Sequence, residues 1–168
     1  MDNKINKIVI SGVVAGIYAV MTVALSGISY GGVQFRVAEA LMLLCVFRKE
    51  YCVALSVGCL VSNMFSPVPL DMIIGTLATV VAVIPIYLVG KLYNKKPLLT
   101  HVIASLFPVI SNGVIVGLEL NYFFGQPLAL SMLRVALGEL VCVTLLGVIL
   151  FRVVSKNKQF MRIICFEN

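Results

Sequence analysis

Six charged residues lie within or at the edge of long apolar stretches, where their side chains could bind a charged solute. They are four carboxylates and two arginines: Arg36, Glu39, Asp71, Glu119, Arg134 and Glu139. Each would cost about 2.5–3.5 kcal/mol at the centre of a bilayer, and less near its surface, so charge at these positions indicates a functional site. The excess of two negative charges suits a cationic solute with several hydrogen-bond donors, because ionised carboxylates only accept hydrogen bonds.

Amide and aromatic side chains near these charges could complete such a site. A carboxylate accepts two parallel hydrogen bonds, which matches the N1–H and exocyclic amine edge of guanine, and Asn63 or Asn112 could donate to a ring carbonyl. Aromatic residues near the same end of the apolar stretches could stack on a planar base. Most of them also fit the belt of aromatic residues that is usual at a membrane surface.

Each polar residue also has a structural interpretation, which the sequence leaves open. Asp71 could be the N-cap or a first-turn acid of a helix. Arg36 and Glu39, three residues apart, could form a local ion pair. The two asparagines could form hydrogen bonds between helices, and Glu119 could be solvated at the interface. Arg134 and Glu139 could pair with each other, although their five-residue spacing separates them by roughly 140° around a helix.

Six apolar helices are predicted to position these residues. With 12% charged residues and a mean hydropathy of +1.08, the chain differs from soluble domains, which contain about 25% charged residues. Spans of roughly 20 residues leave only short loops, so the sequence predicts one domain, 1–168, an all-α integral membrane bundle. The predicted spans are 5–26, 35–47, 51–65, 70–92, 98–122 and 128–154.

The distribution of basic residues predicts the orientation of the bundle. Eleven of the thirteen Lys and Arg residues fall on one side of the six spans, and such an excess marks the cytoplasmic side. Both termini are then cytoplasmic, and the polar residues occupy the outer half as an outward-facing pocket. We therefore expect a multi-pass protein of the plasma membrane.

Several other functions are disfavoured by what the sequence lacks. It contains no GxxxxGK[ST] loop for ATP, and one histidine, His101, gives no zinc site. No catalytic triad is evident, so we expect neither an enzyme nor a bound metal or cofactor. The net charge of +6 is spread over four segments that border apolar runs, which indicates membrane orientation rather than nucleic-acid binding.

A stripe of small residues follows the first predicted helix. Ser11, Ala15 and Ala19 recur every four residues, a spacing that lets helices approach closely in lipid. From the spacing alone, the stripe could pack inside the bundle or dock on another membrane subunit.

Four stretches of the sequence resemble the QueT family, the substrate-binding (S) subunits of energy-coupling factor (ECF) transporters for a queuosine precursor. The most specific stretch is Gln-Phe-Arg-Val-x-Glu-Ala-Leu within 30–41, and the others are 62–67 with 75–79, 112–119 and 138–140. Two positions depart from the expected pattern. Ala38 stands where serine is expected, and Val68-Pro69 replaces a glycine-containing turn, which makes the placement of Asp71 less certain.

The resemblance implies a ligand and partners. The ligand is 7-aminomethyl-7-deazaguanine, captured outside the cell by a six-helix protein. Such a subunit docks on a transmembrane coupling subunit that carries two ATPases. Its docking stripe on the first helix has the pattern Ala-x-x-x-Ala, which Ala15-Gly16-Ile17-Tyr18-Ala19 matches, and this favours docking as the role of the stripe Ser11, Ala15 and Ala19. Two alternatives remain: an S subunit for another vitamin-like heterocycle, and a self-sufficient ion-coupled carrier.

The predicted binding residues follow from the charges and the resemblance together. Three glutamates, Glu39, Glu119 and Glu139, are expected to accept the base edge or the ammonium arm, and Arg36 to orient a carboxylate. The loop 27–34 is expected to close over the solute. The full set is Gln34, Arg36, Glu39, Asn63, Asp71, Asn112, Glu119, Arg134 and Glu139.

Overall fold

The computed structural model describes residues 3–30 and 33–166, which form helices and turns with no strand among them. In chain order the α-helices are α1 (Asn3–Ala24), α2 (Ser26–Ser29), α3 (Glu50–Asn63), α4 (Asp71–Val89), α5 (Pro97–Phe124), α6 (Leu128–Glu139), α7 (Val148–Val154) and α8 (Lys158–Ile164). Two 3₁₀ helices occupy Val37–Val46 and Gly90–Leu92, and a π-helical segment, Leu140–Gly147, joins α6 to α7. The predicted all-α class is confirmed.

Four helical stretches are long and apolar enough to cross a membrane within the described residues. They are Lys4–Ala24, Asp71–Leu92, Pro97–Phe124 and Leu128–Val154. They correspond to the first, fourth, fifth and sixth predicted spans. The second and third predicted spans are shorter helices, the 3₁₀ helix Val37–Val46 and the 14-residue α3.

The second predicted span is a 3₁₀ helix at the centre of the bundle, which the sequence did not predict. It contacts α1, α3, α4, α5, the π-helical segment and α7, and eight of its ten residues are buried. A helix that is apolar on every side is buried on every side. The 3₁₀ form is also narrower than an α-helix, although runs of this length are uncommon. We call Val37–Val46 the central helix.

The longer helices surround the central helix in the order of the chain. Pairs α1–α3, α3–α4, α4–α5 and α5–α6 make the most extensive contacts. Their outward faces carry exposed apolar side chains, such as Ile8, Val20 and Val53, as expected for helices that face lipid. The other helices therefore shield the central helix from the surroundings of the bundle, and the Glu39 side chain of the central helix is buried among them.

The first and last described helices meet at one end of the bundle. Lys7 pairs with Glu50 at 3.6 Å and lies 6.0 Å from the ring centroid of Phe166. Arg48 donates to the Cys165 carbonyl from both Nε and Nη2, at 2.9 and 2.6 Å. The basic tail thus includes helix α8, capped by the Asn157 side chain, and holds the ends of α1 and α3 together.

The single histidine lies among aromatic rings near this end. His101 is buried, with its ring 5.3 Å from that of Tyr93 and 5.9 Å from those of Phe47 and Phe151. His101 therefore packs inside the bundle.

Candidate functional site

The Glu39 carboxylate is the centre of a buried polar cluster in the bundle. It is fully buried on the central helix and accepts a hydrogen bond from the Tyr18 hydroxyl of α1 at 3.3 Å. Arg36, three residues earlier, places Nη1 3.6 Å from the same carboxylate. The local ion pair suggested by the sequence is therefore present, but it is embedded in a larger network.

Asn112 of α5 bridges two carboxylates from different helices. Its Nδ2 donates to Glu39 at 2.6 Å and to Glu139 of α6 at 2.8 Å. The interhelical hydrogen bonds suggested for Asn112 are thus present, and they link the central helix, α5 and α6. Within residues 3–30 and 33–166, the Oδ1 atom of Asn112 and one oxygen of Glu139 have no hydrogen-bond partner.

A second group of polar residues joins α3 to the start of α4. Asn63 donates to the Asp71 backbone carbonyl at 3.0 Å and to the Cys59 sulfur at 3.3 Å. The Asp71 carboxylate accepts a short hydrogen bond from the Ser66 hydroxyl. Asp71 is the first residue of α4 and does not cap it, because the N-cap position is Leu70. The first-turn interpretation of Asp71 therefore holds.

Glu119 is buried with both carboxylate oxygens free of hydrogen-bond donors from the described chain. It faces Asp71 closely enough for the two carboxyl groups to interact. Glu119 lies seven residues beyond Asn112 on α5, about 10 Å further along the axis. The alternative of a solvated Glu119 is wrong, because only 3% of this residue is exposed.

Arg36 is the cation that interacts with both groups of polar residues, the one around Glu39 and the one around Asp71. It is 1% exposed and interacts electrostatically with Asp71 and Glu119 in addition to Glu39. Its Nε and Nη2 atoms make no hydrogen bond to any residue that the structure describes. One guanidinium therefore stands among four carboxylates, with two of its donor atoms available.

The segment that leads into the central helix lies against α6. Gln34 is buried and adopts φ +49°, a left-handed conformation that is uncommon for residues other than glycine. A Cβ atom added at Gly138 would lie 2.2 Å from the Val33 carbonyl oxygen. Gly138 is therefore required for the segment to approach α6, directly beside Glu139.

The aromatic side chain of Tyr30 reaches across the same region. Its hydroxyl donates to the Ser62 carbonyl at 2.6 Å, and its ring centroid lies 5.7 Å from the Arg36 guanidinium carbon. Partial burial raises the pKa of Tyr30 above its ordinary value, so the phenol is neutral at physiological pH. Of the predicted closing loop 27–34, residues 31 and 32 lie outside the described residues.

We expect Gly138→Ala to weaken ligand binding by displacing the segment at Val33. Forcing an extra methyl group into a packed contact typically costs about 1–3 kcal/mol, which here opposes the contact between the segment and α6. Titration of the purified variant measures the change. Gly12→Ala is the matched control, because a Cβ atom at Gly12 meets nothing within 4 Å and Gly12 lies on α1, outside the loop 27–34. Equal affinities for both variants and the wild type would exclude this segment from binding.

Arg134 is not brought into the cluster. It is half-buried on α6 and has no hydrogen bond or ion pair with the described parts of the chain. It lies five residues before Glu139, roughly 140° around the helix, so the two side chains point in different directions. A role for Arg134 in binding stays a prediction without a supporting contact.

Two buried contributors were not predicted from the sequence. Tyr18 supports Glu39, and Thr79 of α4 donates to the Cys59 sulfur at 3.1 Å next to Asn63. Tyr18 stands between Ala15 and Ala19 in the sequence but on a different face of α1. A polar aromatic residue inside an apolar helix was an available signal of an inward contact.

The arrangement can bind a cation rich in hydrogen-bond donors. Within the cluster, five acceptor atoms have no partner among the described residues: Oδ1 of Asn63 and Asn112, both oxygens of Glu119, and Oε2 of Glu139. They outnumber the two unpartnered donor atoms, Nε and Nη2 of Arg36. Buried polar groups normally have partners, and each unsatisfied one is costly. A ligand that donates to these acceptors would stabilise the cluster. No group of three or more His, Cys, Asp or Glu residues in the described chain has a geometry that could hold a metal ion.

Comparison with known proteins relates this chain to transport proteins. The family model described as QueT transporter matches residues 8–156. The queuosine precursor transporter QueT of Lactococcus lactis subsp. cremoris (strain MG1363) is 34% identical over 145 residues, which cover 82% of this chain and 85% of that protein. No solved structure matches the chain.

Proposed function

The chain belongs to the QueT transporter family, and from this premise we propose that it is the substrate-binding (S) subunit of an ECF-type importer. Membership of this family makes it a transport protein rather than an enzyme. Its proposed solute is a queuosine precursor, the compound class in the name of its Lactococcus relative. The proposed compound is 7-aminomethyl-7-deazaguanine, a guanine-like base with a protonated aminomethyl arm.

The observation that carries this proposal is the acceptor-rich cluster around Arg36. Four carboxylates and one guanidinium leave a negative excess, which complements a cationic ligand. The unpartnered oxygens of Glu119, Glu139 and Asn112 match a solute that carries an N–H edge and an ammonium group. An anionic or purely apolar solute would leave these acceptors unsatisfied.

The proposed topology has six crossings of the plasma membrane, with both termini in the cytoplasm. Four spans have the necessary length. In the second crossing, the segment before the central helix adds to the length of Val37–Val46. The meeting of α1 and α8 at one end supports an even number of crossings, and the Lys and Arg residues at that end support a cytoplasmic location.

Calorimetric titration of the purified protein with 7-aminomethyl-7-deazaguanine, and guanine as the comparator, tests the ligand proposal. We expect tight binding that prefers the aminomethyl compound. A folded sample that binds neither compound would refute this ligand. Binding of a different compound in a competition panel would establish the alternative of an S subunit for another heterocycle.

The proposed transport cycle needs partner chains. A transmembrane coupling subunit and two ATPase subunits would supply the energy, and this chain would deliver the solute. In liposomes, the protein alone should bind the solute without accumulating it. Accumulation by the protein alone, driven by an ion gradient, would establish the alternative of a self-sufficient carrier.

The proposed docking surface is the stripe Ser11, Ala15 and Ala19 on α1. A groove of about 360 Å³ runs between α1 and α3, and its lining includes Ser11 and Ala15. All three stripe residues are half-buried, and the Ala15 carbonyl oxygen would lie 2.8 Å from a Cβ atom at Gly58 of α3. The stripe thus borders α3 while one side of it remains accessible to a partner helix.

We expect the double variant Ala15→Leu, Ala19→Leu to abolish uptake in cells while the purified protein still binds solute. Bulky side chains would keep a partner helix from approaching closely. Val13→Leu is the control, because Val13 is 56% exposed on α1 and lies outside the stripe. Loss of both uptake and binding in the double variant would indicate that the stripe packs within the bundle.

A further inference from the structure

The carboxylates form two pairs at different heights along the bundle. Glu39 and Glu139 share the Nδ2 atom of Asn112. Asp71 and Glu119 interact with each other, and Glu119 lies about 10 Å further along α5 than Asn112. Arg36 interacts with members of both pairs. The cluster thus contains two groups of acceptors that share one cationic donor.

The Glu39–Glu139 pair is held in a fixed orientation. Glu39 is bound by Tyr18, Arg36 and Asn112, and Glu139 by Asn112. Two acceptors beside this network, Oε2 of Glu139 and Oδ1 of Asn112, are buried and have no partner from residues 3–30 and 33–166. Fixed neighbouring acceptors are what a planar edge with two parallel N–H donors requires.

The Asp71–Glu119 pair has more orientational freedom. Asp71 is bound by one hydroxyl group, that of Ser66, while neither oxygen of Glu119 accepts a hydrogen bond from the described chain. An ammonium group is a compact charge with three rotatable donors, and it does not need acceptors fixed in one plane. This pair therefore suits a cationic arm better than a planar edge.

We infer that the site consists of two subsites that bind different parts of one ligand. The Glu39–Asn112–Glu139 subsite binds the planar donor edge of the base, and the Asp71–Glu119 subsite binds the cation. This inference rests on the proposed function, since it assigns two parts of the proposed ligand to the two subsites. In 7-aminomethyl-7-deazaguanine, the ring carbonyl lies between the N1–H edge and the aminomethyl arm. The Nε and Nη2 atoms of Arg36, which have no partner among the described residues, are the donors available to that carbonyl.

Two isosteric variants and two ligands separate the subsites. The ligands are 7-aminomethyl-7-deazaguanine and 7-methyl-7-deazaguanine, which lacks the ammonium group. Glu119→Gln should weaken binding of the aminomethyl compound by about 30-fold or more and leave binding of the methyl compound nearly unchanged. Glu139→Gln should weaken binding of both compounds by the same factor, so that the preference between them stays as in the wild type.

The opposite pattern would overturn the inference. If Glu139→Gln removes the preference for the aminomethyl compound and Glu119→Gln does not, the ligand binds in the reverse direction. Equal loss of preference in both variants would mean that the subsites are not separate. A wild-type protein that binds neither ligand would refute the proposed function itself, which is a different result from a reversed pattern.

A third ligand makes the test independent of the Glu139 variant, in case that variant fails to fold. 7-Aminomethyl-7-deazahypoxanthine retains the arm but lacks the exocyclic amine of the base edge. The wild-type protein and the Glu119→Gln variant should discriminate against it by the same factor, because the base edge binds elsewhere. A smaller factor in Glu119→Gln would overturn the inference.

Discussion

Replacing Arg36 with methionine is expected to destabilise the folded protein by about 3–5 kcal/mol. Arg36 is 1% exposed and pairs with Glu39 at 3.6 Å. Removal of one partner leaves the other charge buried without compensation, and this cost exceeds the net contribution of the pair itself. Here the cost is increased by Asp71 and Glu119, which interact with the same guanidinium.

Thermal unfolding in detergent, followed by circular dichroism, measures this effect. Arg152→Met is the matched control, because Arg152 is exposed on α7 and its loss should change the stability by less than about 0.5 kcal/mol. Arg36→Lys should have an intermediate effect, since lysine keeps the charge but lacks the planar donor group. A methionine variant as stable as the wild type would show that Arg36 does not balance the buried carboxylates.

Replacing Asn112 with aspartate should have a similarly large effect through the opposite change of charge. The substitution preserves the size of the side chain but replaces the Nδ2 donor with an oxygen acceptor. Three carboxylates would then meet where Nδ2 now lies 2.6 Å from Glu39 and 2.8 Å from Glu139. Both hydrogen bonds become repulsive contacts between acceptors, and we expect a loss of about 3–5 kcal/mol, as for an uncompensated buried charge.

The same unfolding measurement tests the Asn112→Asp variant at neutral pH. Asn94→Asp makes the same chemical change at an exposed residue of the turn before α5 and should leave the unfolding temperature nearly unchanged. An Asn112→Asp protein with wild-type stability would show that Asn112 does not bridge the two glutamates.

The depth of the site along the bundle was predictable from the sequence. Because the helical rise is fixed at 1.5 Å per residue, residue counts place Asn112 and Glu139 at similar heights, and the structure joins them through a hydrogen bond. The seven-residue spacing puts Glu119 on the same face as Asn112, whereas its burial was left open by the sequence.

The rotation of helices and the form of the central helix were not predictable from one sequence. The five-residue spacing indicated that Arg134 and Glu139 point apart, but it did not say which of them faces inward. That choice depends on packing, and Gly138 next to Glu139 is the position where the segment at Val33 contacts α6. Apolar residues on every side predict burial of Val37–Val46, but composition does not distinguish a 3₁₀ from an α-helix.

The central helix has a consequence for how the protein assembles in the membrane. Ten residues of 3₁₀ helix rise about 20 Å, less than the roughly 30 Å hydrocarbon core, so this element depends on its neighbours for insertion. During synthesis, Glu39 follows Tyr18 and Arg36, but Asn112, which donates to it, and Glu139, which shares that donor, emerge more than seventy residues later. The charges of Arg36 and Glu39 therefore lack some of their hydrogen-bond partners until the second half of the chain enters the bilayer and completes the cluster.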